Sequence, residues 1–300
     1  MRLALLLNEG SGTFRTLDMD DFVRKAERVL VDHGHEVSVE RVSGDALVPA
    51  IKRIASGEGL DALLVGGGDG TISAAAAQGF RIGIPIGVVP AGTMNLYARS
   101  LKLPMDPLEA IGVLAAGGIR NVDIATADDR PFVHQFSVGL HARLVRLRNA
   151  RHFSSRRGKI AATLSALFDV IRNPPSFTVT TDAGDGPRTR KVSAVSVSNN
   201  RFNDQPVPYA ELLDEGVLGL YHARAMTPGE MLSLTLDATM RRMQDNESID
   251  VATAREVQLV FPRLRRDSRA VIDGELVKLA PEVALKCHPG ALSLLAPQPA

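Results

Sequence analysis

The run Val65-Gly66-Gly67-Gly68-Asp69-Gly70-Thr71 leaves an apolar segment and enters a small-residue helical pattern. Glycines at such a junction admit positive φ and let backbone N–H groups come close to a ligand. The helix start that follows adds a positive dipole end. Together these suit a phosphate. Asp69 is out of place in an anion site unless a cation comes with the anion. Mg²⁺ bound through water to a nucleoside triphosphate such as ATP meets that need. A plain strand-to-helix turn with a polar tip is the ordinary alternative, but four glycines in the five positions 66–70 exceed what a turn needs. A second turn, Pro90-Ala91-Gly92-Thr93-Met94-Asn95, also joins an apolar run to a helical pattern. There Thr93 can offer a hydroxyl and Asn95 an amide to a phosphate, or Thr93 can simply cap a helix.

Other chemistries lack their residues. No Gly-x-x-x-x-Gly-Lys-Ser/Thr run occurs, because Gly158-Lys159 is followed by Ile160 and lacks the upstream glycine. The dinucleotide pattern Gly-x-Gly-x-x-Gly, begun at Gly66, would need glycine where Thr71 stands. The histidines show no His-Glu-x-x-His spacing, and no serine sits in a Gly-x-Ser-x-Gly elbow.

The elements that must carry these turns alternate between strand and helix patterns. Leu3 to Leu7 reads as a strand buried on both faces. Asp18 caps a helix bearing Phe22, Ala26, Val29 and Leu30, which Gly34 ends. A strand follows at Val37 and Val39, and Asp45 opens a helix with Leu47, Ile51 and Ile54. Ala62 to Val65 is a third strand, Ile72 to Gln78 a helix, Ile84 to Val89 a fourth strand, and Thr93 to Leu101 a helix. Asp106-Pro107 caps a helix through Ala116. This alternation predicts a parallel sheet covered on both faces, with both small-residue turns at its carboxyl edge, where ligands bind. Beyond Ile119 the pattern changes to strands at 132–137, 177–181, 192–198, 217–222, 257–261, 270–272, 276–279, 283–286 and 292–296. Helices interrupt them at 160–172 and 228–243. The expected organisation is an α/β nucleotide-binding domain over 1–122, completed by 288–300, and a mostly antiparallel β-rich domain over 123–287.

Composition sets limits. With 300 residues, 45% of them hydrophobic, the chain can bury a core. Lys+Arg number 35 against 34 Asp+Glu, and aromatics are 4%, so neither a global basic pull nor a base-stacking platform points to nucleic acid. Cys287 is the single cysteine, which excludes an intramolecular disulfide and a cysteine-rich metal site and fits a reducing compartment. No apolar stretch nears the about 18 residues of a spanning helix, and Leu3 to Leu7 meets Asn8-Glu9 instead of a cleavage site. A cytoplasmic protein is expected, peripheral at the inner membrane face. Between His141 and Ile160 lie seven basic residues and no acid, Arg151, Arg156 and Arg157 among them. They form either a solvated arginine face or a patch that meets an anionic membrane. The oligomeric state stays open, a homodimer among the options.

Residues 66–71 as GGGDGT and residues 92–103 as GTMNLYARSLKL resemble the diacylglycerol kinase catalytic-domain family. That group includes soluble bacterial diacylglycerol kinases and eukaryotic sphingosine and ceramide kinases. Asn8-x-x-Ser11-Gly12 is similar to the family's first-strand motif, Phe136-Ser137-Val138-Gly139 to its Ser-x-Gly strand, and Asp273-Gly274-Glu275 to its late Asp-Gly-Glu. Ala291-Leu292-x-x-Leu295-x-Pro297 is similar to its terminal strand. The first motif alone is shared with NAD kinases; the continuation after Gly92 separates the two. The resemblance implies ATP- and Mg²⁺-dependent phosphorylation of a lipid hydroxyl at a membrane surface. It puts ATP at Asn8, Ser11, Gly66, Gly67, Gly68, Asp69, Gly70, Thr71, Gly92, Thr93 and Asn95. It makes Glu275 the general base and has Asp69 organise Mg²⁺ through water. Read without it, Asp273-Gly274 is a two-residue hairpin turn and Glu275 its solvated flank. A structural metal site in the second domain maps to Leu212, Glu215 and Val217, with glutamate where the family has aspartate. Diacylglycerol, giving phosphatidic acid, is the first substrate expectation, with ceramide or a sphingoid base beside it. An NAD kinase-like enzyme and a nucleotide-binding regulator without turnover are the rivals.

Overall fold

The computed structural model describes residues 1–57, 59–149, 165–242 and 246–297. The first domain runs β1 (Arg2–Asn8), α1 (Met19–Asp32), β2 (Glu36–Val42), α2 (Leu47–Ala55), β3 (Ala62–Gly67), α3 (Asp69–Ile82), β4 (Ile86–Pro90), α4 (Leu96–Ser100) and α5 (Pro107–Ala115). β1 pairs in parallel with β2 and β3, and β3 with β4. Leu3 to Leu7 and Ala62 to Val65 are buried throughout, as strands covered on two faces must be. The path from β2 to β3 crosses back over β1, so right-handed crossovers put α2 on the face opposite α1. In agreement, α1 packs with α5 and α2 with α3. Asp18 caps α1 through the N–H groups of Asp20 and Asp21, and Asp106 caps α5 with Pro107 in its first position.

The rest of the chain adds β5 (Gly118–Ala127), β6 (Arg130–Phe132), β7 (Gln135–Gly139) and α6 (Leu140–Asn149). A helical segment over 165–172 (α7) follows. Then come β8 (Phe177–Asp182), β9 (Arg188–Asn199), β10 (Leu218–Arg224), α8 (Pro228–Thr239), β11 (Ile249–Ala254), β12 (Glu256–Val260), β13 (Arg269–Ile272), β14 (Glu275–Lys278) and β15 (Glu282–Ala296). The named strands β5 to β14 pair antiparallel. The expected architecture is therefore present: a parallel α/β unit and an antiparallel β-rich one. One buried cluster gathers Leu5, Leu64, Ile86 and Leu294, another Phe132, Val195, Leu259 and Leu285. Among the described residues, no helix is long and apolar enough to cross a membrane.

Several boundaries differ from the sequence expectation. The strand expected over 132–137 breaks at Val133 and His134, because the Asp273 carboxylate takes the N–H groups of Val133, His134 and Gln135. The strands expected at 283–286 and 292–296 are one strand, β15, with a register shift between His288 and Leu292, where Gly290 takes φ 62°. Its first residues pair with β12, while Leu294 and Leu295 run parallel to β4. The helix expected from Thr93 starts only at Leu96, because Asn95 takes φ 51°. Asp45 caps nothing: it lies in a 3₁₀ turn, Gly44–Ala46, before α2. The helix expected to reach Met243 ends at Thr239, and Arg241 takes φ 60°. β5 and β11 were not among the expected strands.

Candidate active site

Three loops at the carboxyl edge of the parallel sheet converge. β3 delivers Gly66 and Gly67, and Gly68 stands at the N-cap of α3, whose first turn receives no side-chain cap. Gly66 and Gly67 are also required by their neighbours. A Cβ on Gly66 would lie 2.7 Å from Leu7 and 2.9 Å from Phe14; on Gly67 it would lie 2.3 Å from Thr71 Cγ2. A Cβ on Gly92 would come within 2.7 Å of Gly68 Cα, so the two turns meet backbone to backbone. From Gly70, by contrast, a Cβ would approach only Glu275 Oε1, at 3.9 Å. The uncapped α3 start and these bare backbones leave main-chain N–H groups open to an anion.

Polar side chains tie the loops together. Asn8 donates from Nδ2 to Thr71 Oγ1 at 2.8 Å and accepts the Gly10 N–H at 3.1 Å. Asn8, Ser11 and Thr71 are buried, and the Ser11 N–H bonds to the Asn8 carbonyl. The Asp69 carboxylate accepts the N–H groups of Asn95 at 3.1 Å and Leu96 at 2.6 Å, capping α4 across the cleft floor. Each of its oxygens keeps a further acceptor position for a cation's water. Asn95 folds its amide back on Gly92, accepting that N–H at 2.8 Å and donating to that carbonyl at 3.2 Å. Its side chain thus shapes the turn instead of facing a ligand. Thr93 is exposed at the tip and caps no helix.

The opposite wall comes from the other domain. Asp273 and Gly274 take φ 46° and 86° and make the two-residue turn between β13 and β14. Asp273 is buried, and its carboxylate accepts the Ser73 hydroxyl at 2.6 Å and the three N–H groups at 133–135. Burial pushes its pKa up, against the pull of those four hydrogen bonds. This one side chain fastens α3 to the β6–β7 break and to the β13–β14 turn. It thereby holds Glu275, the first residue of β14, beside Gly70 at the start of α3. Glu275 is exposed and paired with Arg130 at 2.6 Å. His134, its ring 4.8 Å from that of Phe202, is held neutral: desolvation lowers its pKa to about 4 despite the field of Asp69. The hairpin expected at Asp273-Gly274 is present, with Glu275 as its exposed flank. Arg130, Ser73, His134 and the anchoring role of Asp273 escaped the sequence reading. Only the last had a visible signal, in the acid that begins the turn.

In the turn expected to hold a second-domain metal, the charged residue of the implied set is already engaged. The Glu215 carboxylate accepts the Arg201 main-chain N–H at 3.0 Å and its Nε at 2.9 Å, which holds the Glu215 pKa low despite burial. The Val217 carbonyl already accepts the Asn200 N–H, and Leu212 is exposed. Among the described residues no three His, Cys, Asp or Glu side chains gather into a metal cluster. Arg151, Arg156 and Arg157 lie outside the described residues.

Residues 2–127 match the diacylglycerol kinase catalytic domain. An uncharacterized protein of Synechocystis sp. is 26% identical over 249 residues, 80% of this chain and 56% of that protein. A diacylglycerol kinase of Mycobacterium tuberculosis is 37% identical over 93 residues, 30% of each chain. The matches thus span 56% and 30% of those relatives' lengths. A crystal structure of a diacylglycerol kinase from Bacillus anthracis superposes with a TM-score of 0.74 over 98% of this chain and 96% of that one. Its identity is 19%, so that likeness concerns the fold.

Proposed function

Since the chain belongs to the diacylglycerol kinase catalytic-domain family through residues 2–127, we propose that it transfers the γ-phosphate of ATP to a lipid hydroxyl, with diacylglycerol as acceptor and phosphatidic acid as product. The observation that carries this reading is the Glu275 carboxylate standing at Gly70, at the N-terminal end of α3, although it comes from the far end of the chain. Phosphoryl transfer asks mainly for positioning and charge neutralisation. The backbone of Gly66 to Gly70, the start of α3, and Gly92 with Thr93 hold the triphosphate. The spare acceptor positions of Asp69 would hold a Mg²⁺ ion arriving with the nucleotide, which would supply charge neutralisation there. Glu275 takes the proton of the acceptor hydroxyl while that oxygen bonds to the γ-phosphorus. The bond from phosphorus to the bridging oxygen breaks, and ADP leaves with the electron pair. A base so placed is worth ~10²–10⁴-fold. Arg130 orients Glu275 and adds positive charge beside the transferred group.

Access to a lipid at the inner face of a membrane is supported by α8. Met231 and Leu234 pack inward, while Leu232, Leu236 and Met240 stand 50%, 49% and 58% exposed at successive spacings of four. Such a stripe, followed by Arg241 and Arg242, suits an anionic interface.

The test is labelled phosphate transfer from Mg-ATP to diacylglycerol, monoacylglycerol, ceramide and a sphingoid base in mixed micelles, with NAD as soluble control and Glu275→Gln alongside. Label in diacylglycerol, lost in the variant, is the expected result. Label in ceramide or the sphingoid base would change the substrate. Label on NAD would favour a dinucleotide kinase, and ATP binding without transfer a regulator.

A further inference from the structure

We propose that Arg201 is the built-in cation of the second domain: its guanidinium replaces, in the turn over residues 212–217, the divalent metal ion that the family resemblance implies. The inference does not depend on which acceptor is phosphorylated. It rests on what already holds the Glu215 carboxylate and the groups around it.

Glu215 is the only charged member of the implied ligand set, and its side chain is 12% exposed. Arg201 covers it from the solvent side, with Nε 2.9 Å from Oε1 and its own main-chain N–H 3.0 Å from Oε2. Both carboxylate oxygens are thus held by one residue, one of them through a charge-assisted bond. The Glu215 N–H donates to Asn200 Oδ1 at 3.1 Å, and the Asn200 N–H donates to the Val217 carbonyl at 3.1 Å. Asp214, beside Glu215 in the chain, is exposed. Asp123, by contrast, is 2% exposed. It accepts the Gly216 N–H at 2.6 Å and the Gly290 N–H at 2.9 Å, while its own N–H donates to the Leu213 carbonyl at 2.7 Å. The Glu215 carboxylate, the one charged group of the implied set, is thus already neutralised by a cation of the protein itself. A divalent ion asks for six or more oxygen ligands. To use Glu215 here it would first have to displace a guanidinium.

The turn has a task that explains why some cation is wanted. Through Asp123 it fastens β5 to Gly216 and to Gly290 of β15, close to where both strands leave the first domain. An uncompensated Glu215 carboxylate would repel Asp123 in this poorly hydrated corner. A guanidinium provides the compensation without dissociating and without a divalent ion in solution.

The experiment uses nucleotide-free full-length protein, so that ions travelling with ATP play no part. Ca²⁺ and Mg²⁺ are titrated calorimetrically, and melting is followed in EDTA and in a few millimolar of each ion. Wild type should bind no ion through Glu215, and its Tm should be the same in both media. Arg201→Met should bind one divalent ion at least about tenfold more tightly than wild type, because an attractive site replaces a repulsive one. Its Tm should fall in EDTA and recover with the ion. Arg201→Met/Glu215→Gln should melt near wild type in EDTA and bind nothing, which guards against a merely misfolded single variant. Wild-type ion binding that disappears in Glu215→Gln would overturn the proposal. So would an Arg201→Met protein that binds no ion.

Discussion

Around the candidate cleft, the wall from the first domain is made of backbone. Gly66, Gly67 and Gly92 pack main chain against neighbours that leave no room for a Cβ, and the start of α3 presents bare N–H groups. The wall from the second domain is made of carboxylates. Asp273 holds four donors, and Glu275 reaches over the gap. A backbone wall binds but cannot accept a proton, whereas a carboxylate wall can accept one but repels phosphate. Under the proposed function, dividing the materials between the two walls lets one site do both. It also means the two walls fail in opposite ways: the first by adding atoms, the second by removing charge.

The largest effect should come from adding one carbon to the first wall. Gly92→Ala sets a Cβ 2.7 Å from Gly68 Cα and 2.8 Å from Asn95 Oδ1. At an overpacking cost of ~1–3 kcal/mol, ATP affinity should fall roughly 10- to 100-fold. Calorimetric titration with a non-hydrolysable ATP analogue measures this, and unchanged affinity would remove the two turns from the nucleotide site. Next comes Asp273→Asn, which leaves one acceptor oxygen for four donors. A cost of about 2 kcal/mol is expected, together with a roughly tenfold lower kcat as Glu275 loses its seat. The KM for ATP should hold, and an equal loss in both constants would show that the walls are not separable.

The pH response sharpens the comparison further. His134 at the cleft and His222, bonded to Thr181 away from it, are both depressed to about 4, desolvation being the main cause in each. A depressed pKa means stability that is present above the unfolded value near 6.5 and is lost as pH falls toward 4. Denaturant titrations between pH 7 and 5 should show a fall approaching ~1.4 kcal/mol per pH unit for each group. His222→Gln should remove its share without changing ATP binding. A profile unchanged by that variant would mean the loss arises elsewhere. The smallest effect on folding is expected at α8. Leu232→Ser with Leu236→Ser should alter stability by only about 0.5 kcal/mol while weakening co-sedimentation with anionic vesicles. Undiminished sedimentation would remove α8 from the membrane contact.

What was legible in the sequence follows the same division. Local signals were readable: the glycines at 66–70, the caps Asp18 and Asp106, and the apolar strands that make the parallel sheet. Signals that act at a distance were not. The start of α4 depends on Asp69, more than twenty residues upstream, and on Asn95 accepting positive φ. The break between β6 and β7 is imposed by Asp273, well over a hundred residues away. Arg201 meets Glu215 only because β9 and β10 bring the two ends of an intervening loop together. Asp273-Gly274 was readable as a turn, but its carboxylate gave no hint of a partner in α3.

β15 has a consequence for how the protein is made. β4 lies between β3 and β15, and its outer edge is covered only by Leu294 and Leu295. A ribosome completes β4 roughly two hundred residues before it reaches that cover, a delay of about 10–40 s at ordinary elongation rates. Throughout that interval the nascent first domain presents an open, apolar parallel edge, the kind of surface on which strands from other chains add. Synthesis order thus leaves this edge of the parallel sheet open until β15 has been made.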